Sequence, residues 1–212
     1  MSYLGKLEKM QTTLGSSVLY QIPVGEELIG LNELIGNRLS LRYVGEINCI
    51  HCGRKTSKSF SQGYCYPCFT TAPETEECVL RPELCRAHEG IARDMEYATT
   101  HCLIEHVVYL SLTSGLKVGV TRNTQVPTRW IDQGATAATE LARTPNRYLA
   151  GLIEVALKAH INDKTNWRKM LSDKVEEAVD LVAEKINLIP LIPEEQQRYV
   201  IREDRSIRIS YP

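Results

Sequence analysis

Hydrophobic and polar positions divide this chain into three stretches of different character. In residues 1–48 apolar and β-branched residues alternate with polar ones over Val18–Ile22 and Leu39–Val44, separated by turn formers at Pro23-Val24-Gly25 and Ile35-Gly36-Asn37. That pattern predicts short strands in a small sheet or open barrel. Residues 49–106 show little helical or strand periodicity. From Val107 the alternation returns: Val107–Leu112 and Leu116–Val120 flank Thr113-Ser114-Gly115, and a three-residue loop with glycine predicts a hairpin. Pro127 opens a short helix carrying Arg129, Trp130 and Ile131, and a third strand is predicted over Thr136–Leu141. Apolar residues at helical spacing then predict one helix from about Asn146 to His160 and another from about Trp167 to Ile186, stopped by Pro190 and Pro193. Arg198–Ile209 alternates as an edge strand. The expected class is α+β: a β-rich unit at 1–48, an irregular module at 49–106, a small α/β domain at 107–190 and an extension at 191–212.

The irregular stretch holds all seven cysteines. Cys49-x2-Cys52 and Cys65-x2-Cys68 are separated by twelve residues, the spacing of two knuckles that close a four-thiolate zinc site. Gly53 and Gly63 flank them, where the backbone must turn its amides toward sulfur. Cys78, Cys85-x2-His88 and Cys102 would make a second, Cys3His site, with His101 and His106 competing for the imidazole place. Four protein ligands leave a zinc ion no open position, so both ions are expected to be structural. A segment this irregular needs such ions to fold.

A formal charge of −1 excludes a global basic field, so any contact with nucleic acid must be local. Arg54, Lys55 and Lys58, with Tyr64 and Tyr66, form such a patch around the first knuckles, where they could meet phosphates and stack on bases. A solvated basic loop accounts for the same residues. His51, inside the first knuckle, is expected to point outward. The acids around the second site (Glu74, Glu76, Glu77, Glu83, Glu89) oppose continuous phosphate contact there. No apolar run is long enough to cross a membrane, and MSYLGKLEKM lacks the core of a signal peptide. Thiols used as metal ligands point to a cytoplasmic location.

Residues 107–166 resemble the GIY-YIG nuclease domain. Val108-Tyr109 is similar to the end of its first signature, and Lys117-Val118-Gly119, followed by Thr121-Arg122-Asn123, to its second. Arg129 matches the family's arginine, Glu154 its metal-binding glutamate, and Asn166 falls close to where an asparagine is often found. The resemblance implies that Glu154 holds a Mg²⁺ or Mn²⁺ ion against a phosphate, Arg129 neutralises developing charge, and Tyr109 helps activate water. Lys117 replaces the second signature tyrosine. That departure leaves open a site that binds DNA or RNA without cutting it. Each residue also has a plainer role: Tyr109 in the core, Arg129 and Glu154 on helix surfaces.

The whole chain also resembles an uncharacterised prokaryotic family, the domain of unknown function 2797. Gly45–Phe69, Arg81–Cys85, Gly115–Thr121, Pro127–Ala135 and Thr165–Leu171 carry the likeness. That resemblance implies no established activity; similar chains tend to continue into another β-rich segment, so the end at Pro212 is expected to be either a truncation or a short variant. Together these features lead to the expectation of a zinc-stabilised nucleic-acid-binding protein with a metal-dependent phosphodiesterase as its possible activity. A non-catalytic nucleic-acid module and a zinc-stabilised adaptor that binds another protein are the alternatives.

Overall fold

The computed structural model describes residues 2–161, 179–203 and 205–212. It is an α+β protein with a small three-stranded sheet, two cysteine groups, and a four-stranded antiparallel sheet with helices. The small sheet comprises β1 (Gln11–Leu14), β2 (Val18–Val24) and β3 (Glu27–Gly30) in that order, all antiparallel. Asn32 completes it, with its side-chain amide donating to the Val18 carbonyl and its Oδ1 accepting the Tyr20 amide, both at 2.8 Å. Gly25, at φ 63°, supplies the left-handed residue that the β2–β3 turn requires.

The predicted strand at Leu39–Val44 does not form. That segment has no assigned secondary structure and no sheet partner, and Leu41 and Tyr43 are exposed. Alternation alone did not secure a strand there, because no neighbour offers it a ladder of hydrogen bonds.

The cysteine stretch is more ordered than its sequence pattern indicates. It contains α1 (Tyr66–Thr71), α2 (Met95–His101) and four single 3-10 turns between them. Pro67 stands in the first turn of α1, and Asp94 caps α2 by accepting the Tyr97 amide at 3.0 Å. These elements are too short for periodicity to reveal them.

The large sheet runs β5-β4-β6-β7, from β4 (His106–Leu112), β5 (Leu116–Arg122), β6 (Ala137–Thr144) and β7 (Ser206–Arg208). Strand β4 is central and buried throughout. The predicted edge strand at the end of the chain is confined to β7, and Glu194–Tyr199 forms a 3-10 helix instead. One sheet face buries Val108, Leu110 and Val118 against Ala150, Ile153 and Leu157 of α4 (Arg147–Lys158). The other buries Val107 and Tyr109 against Trp130 and Ile131 of α3 (Thr128–Asp132), together with Val18 from β2. The small sheet is held to that face by Lys9–Asp132 at 2.6 Å and by the Val18 amide on the Ser210 carbonyl at 2.8 Å.

The long helix predicted from Trp167 to Ile186 is not continuous. Asp180 has extended geometry and its Oδ1 accepts the Val182 and Ala183 amides, so a new helix, α5 (Leu181–Leu188), begins there. Residues 167–178 of that prediction lie outside the described residues.

Candidate metal centres and the Tyr109 cluster

The first thiol group is built by two knuckles. Cys49 and Cys52 flank a turn in which the Gly53 amide bonds the Cys49 carbonyl at 2.9 Å, with Gly53 in the left-handed region at φ 70°. Cys65 and Cys68 lie at and within the start of α1, whose first turn presents free amides. The four sulfurs lie within 4.8 Å of one another, so each could serve as one ligand of a single tetrahedral ion. Cys49 shows the electrostatics: burial raises its pKa, but the amides of Cys52, Cys65 and His51 outweigh that and hold it at about 6. Burial and the neighbouring sulfurs push Cys68 up to about 12. A divalent cation would stabilise all four thiolates together. His51 lies on the exposed side, its Nδ1 3.4 Å from Glu74.

The second group brings together three of the four predicted ligands. The sulfurs of Cys78, Cys85 and Cys102 lie within 4.8 Å of one another, and all three residues are buried. Hydrogen bonds from Cys102 and Cys78 hold the Cys85 thiol down to about 3, while the same sharing pushes Cys102 up. His88 is placed elsewhere: its ring is stacked on Tyr148, with centroids 4.3 Å apart. His101 and His106 are also outside the group, with Nδ1 bonded to the Tyr97 and Ile104 carbonyls respectively. What the sequence did not reveal is Arg147, a buried residue whose Nη1 donates to the Cys78 sulfur at 3.4 Å and whose Nη2 donates to the His101 carbonyl at 3.3 Å. An arginine 45 residues past the last cysteine gives no spacing signal; only the fold brings it there.

Among the residues matched to the GIY-YIG domain, Tyr109 stands at the centre. Its ring lies over Gly119, directly across on β5, and its hydroxyl donates to Gln133 Oε1 at 2.9 Å. A Cβ at position 119 would lie 2.6 Å from that hydroxyl, which is why glycine is needed there. Burial pushes the Tyr109 hydroxyl up to about 12, although Arg129 beside it acts to lower it; the Glu154 charge raises it further. Arg129 and Glu154 thus each act on the Tyr109 hydroxyl, and Gln133 is a partner the sequence did not point to. Lys117 is half-buried on β5 opposite Ser111, one pleat repeat along from the Tyr109–Gly119 pair and on the same face. Glu154 is buried on α4 and lies 3.4 Å from Lys158. Asn166 lies outside the described residues.

The fold and these centres define an α+β protein with two cysteine groups, of four and three thiols, positioned to hold metal ions. The chain belongs to the family described as protein of unknown function DUF2797, whose model matches residues 36–212. No curated protein and no solved structure matches it, and none of these comparisons carries the GIY-YIG resemblance. Among the described residues, no helix is long and apolar enough to cross a membrane.

Proposed function

We propose that this is a zinc-stabilised nucleic-acid-binding protein in which the first thiol group presents the binding surface. The observation that carries this reading is an aromatic and basic cluster on the outer side of that group. Phe60 stacks on Phe69 at 5.7 Å and meets Tyr66 edge-on at 5.4 Å, while Lys58 Nζ stands 5.2 Å from the Phe60 ring. Tyr66, Phe69, Lys58 and Arg54 are exposed. Exposed rings interleaved with cations suit unpaired bases and their phosphates, each stacked base being worth about 1–3 kcal/mol. Zinc fits the donor set because thiolates are soft ligands and four sulfurs within 4.8 Å of one another match the ligand number of a structural zinc ion.

The test is binding of labelled single-stranded DNA and RNA to the zinc-loaded protein across a salt series. Binding should weaken with salt, Lys58→Ala should flatten that dependence, and Tyr66→Ala should weaken binding at every salt concentration. Absence of binding at low salt to single- and double-stranded DNA and RNA would end the reading.

A second reading, divalent-metal-dependent phosphodiester cleavage, is favoured by the Arg129 and Glu154 charges that each act on the buried Tyr109 hydroxyl. Glu154 would hold Mg²⁺ or Mn²⁺, and Arg129, exposed on α3, would meet the phosphate. Incubation with either ion and varied DNA and RNA structures, beside Glu154→Ala, decides it: equal cleavage by both proteins, or none by either, removes this reading.

A further inference from the structure

The two thiol groups differ in how completely the protein surrounds them. Around the first, four sulfurs account for a full tetrahedron. Around the second, three sulfurs converge, and among the described residues no imidazole or carboxylate joins them. Cys78, Cys85 and Cys102 also line a cavity of about 260 Å³, whose wall includes Arg86 and Arg93. The two carboxylates on that wall are engaged elsewhere: Glu76 accepts the Arg93 amide at 3.0 Å, and Glu77 pairs with Arg81 at 3.0 Å. Arg147, donating to Cys78, brings a buried positive charge to the thiols.

We propose that the Cys78, Cys85 and Cys102 thiolates hold a metal ion whose fourth coordination position opens into this cavity and takes a small monodentate anion, hydroxide included. The inference rests on the reading that the second group binds a metal, and it changes that group's role. A zinc ion with four protein ligands is structural, whereas one with three and an exchangeable fourth can polarise what it binds. Charge permits an anion there. Three thiolates on a dication leave one negative charge, which Arg147 offsets. On the wall Arg86, paired with Glu89 at 2.8 Å, and Arg93, whose Nη1 donates to the Ala72 carbonyl at 2.9 Å, balance Glu76 and Glu77, so no net negative charge opposes an anion. The cavity is several times the volume of one water molecule, so a small anion has room to enter.

The test uses the full chain loaded with Co²⁺, whose d–d absorption reports its ligands, titrated with azide. Two ions per chain are expected, with azide shifting the bands of one of them. His88→Ala should give the same shift, and Cys78→Ser should alter the azide-sensitive bands while leaving the others in place. Two bound ions with no response to azide in either wild type or His88→Ala would overturn the proposal. So would a response that appears only in His88→Ala, since His88 would then be the fourth ligand. Binding of one ion alone, measured before azide is added, would instead sink the underlying reading of a second metal site and the proposal with it.

Discussion

Gly151 of α4 lies so close to Glu83 that a Cβ at position 151 would stand 2.2 Å from the Glu83 backbone nitrogen. The cysteine module therefore docks on α4 by backbone contact, through the 3-10 turn at Pro82–Leu84. One turn earlier on the same helix face, Arg147 reaches the Cys78 sulfur. Glu154 shares that stripe, at the i, i+4, i+7 spacing of 147, 151 and 154, and its burial follows from its place there.

Gly151→Ala is predicted to destabilise the protein. Alanine is the better helix former by about 1 kcal/mol, so a helix free of tertiary contacts would gain. Here the methyl meets backbone, which cannot rotate away, and overpacking of this kind typically costs about 1–3 kcal/mol. Denaturant unfolding should show a net loss of about 1 kcal/mol, the overpacking cost less the helix gain, while Val155→Ala on the exposed side of α4 should stay within about 0.5 kcal/mol. A Gly151→Ala protein as stable as the wild type would show that the module is not docked by this contact.

The extent to which the sequence disclosed this arrangement follows from what each signal depends on. Strands β4, β5 and β6 and helix α4 were legible because their apolar periodicity reports burial against a core. The first thiol group was legible because all four ligands lie within twenty residues at knuckle spacing. The second was legible only in its cysteines. His88 has the right spacing for a knuckle, yet its ring packs on Tyr148, a residue sixty positions away. Arg147 and the Gly151 contact depend equally on long-range docking, which no local pattern encodes. Leu39–Val44 failed for the opposite reason: its alternation is local, and the fold gives it no partner strand.

Arg147→Met should lower metal affinity at the second thiol group selectively. Outer-shell hydrogen bonds to metal ligands typically contribute about 10–100-fold in affinity, and this one also carries charge into a buried, thiolate-rich site. Competition with a chromophoric chelator should show one ion released more readily in the variant and the other unchanged. Equal weakening of both ions would mean that the variant perturbs the module as a whole.

Tyr109→Phe separates the two functional readings. It removes the hydrogen bond to Gln133 and should cost about 1 kcal/mol, with the ring still packed over Gly119. If the Tyr109 cluster cleaves phosphodiesters, turnover should collapse while nucleic-acid affinity holds. If the protein only binds, affinity and its salt dependence should match the wild type. A loss of affinity comparable to that of Tyr66→Ala would place the binding surface on the large sheet rather than on the first thiol group.

His106 should make stability depend on pH below neutrality. It opens β4, is 1% exposed, and donates from Nδ1 to the Ile104 carbonyl at 2.8 Å. Burial lowers its pKa to about 4; that hydrogen bond acts to raise it, and the charges of Arg147 and Arg122 lower it. In the unfolded chain a histidine titrates near 6.5. Between those values the unfolded state binds a proton that the native state refuses, so stability falls as pH decreases from about 6.5 to about 4 and levels off below. The full effect is about 3 kcal/mol. Acid also strips metal from thiolates, so the measurement is the difference between wild type and His106→Gln, unfolded by denaturant at saturating zinc from pH 7.5 to 5. The glutamine amide can keep the bond to Ile104 without titrating, and its stability should decline less steeply than that of the wild type. Parallel declines would show that His106 takes up its proton equally in both states and that acid sensitivity comes from the thiol groups alone.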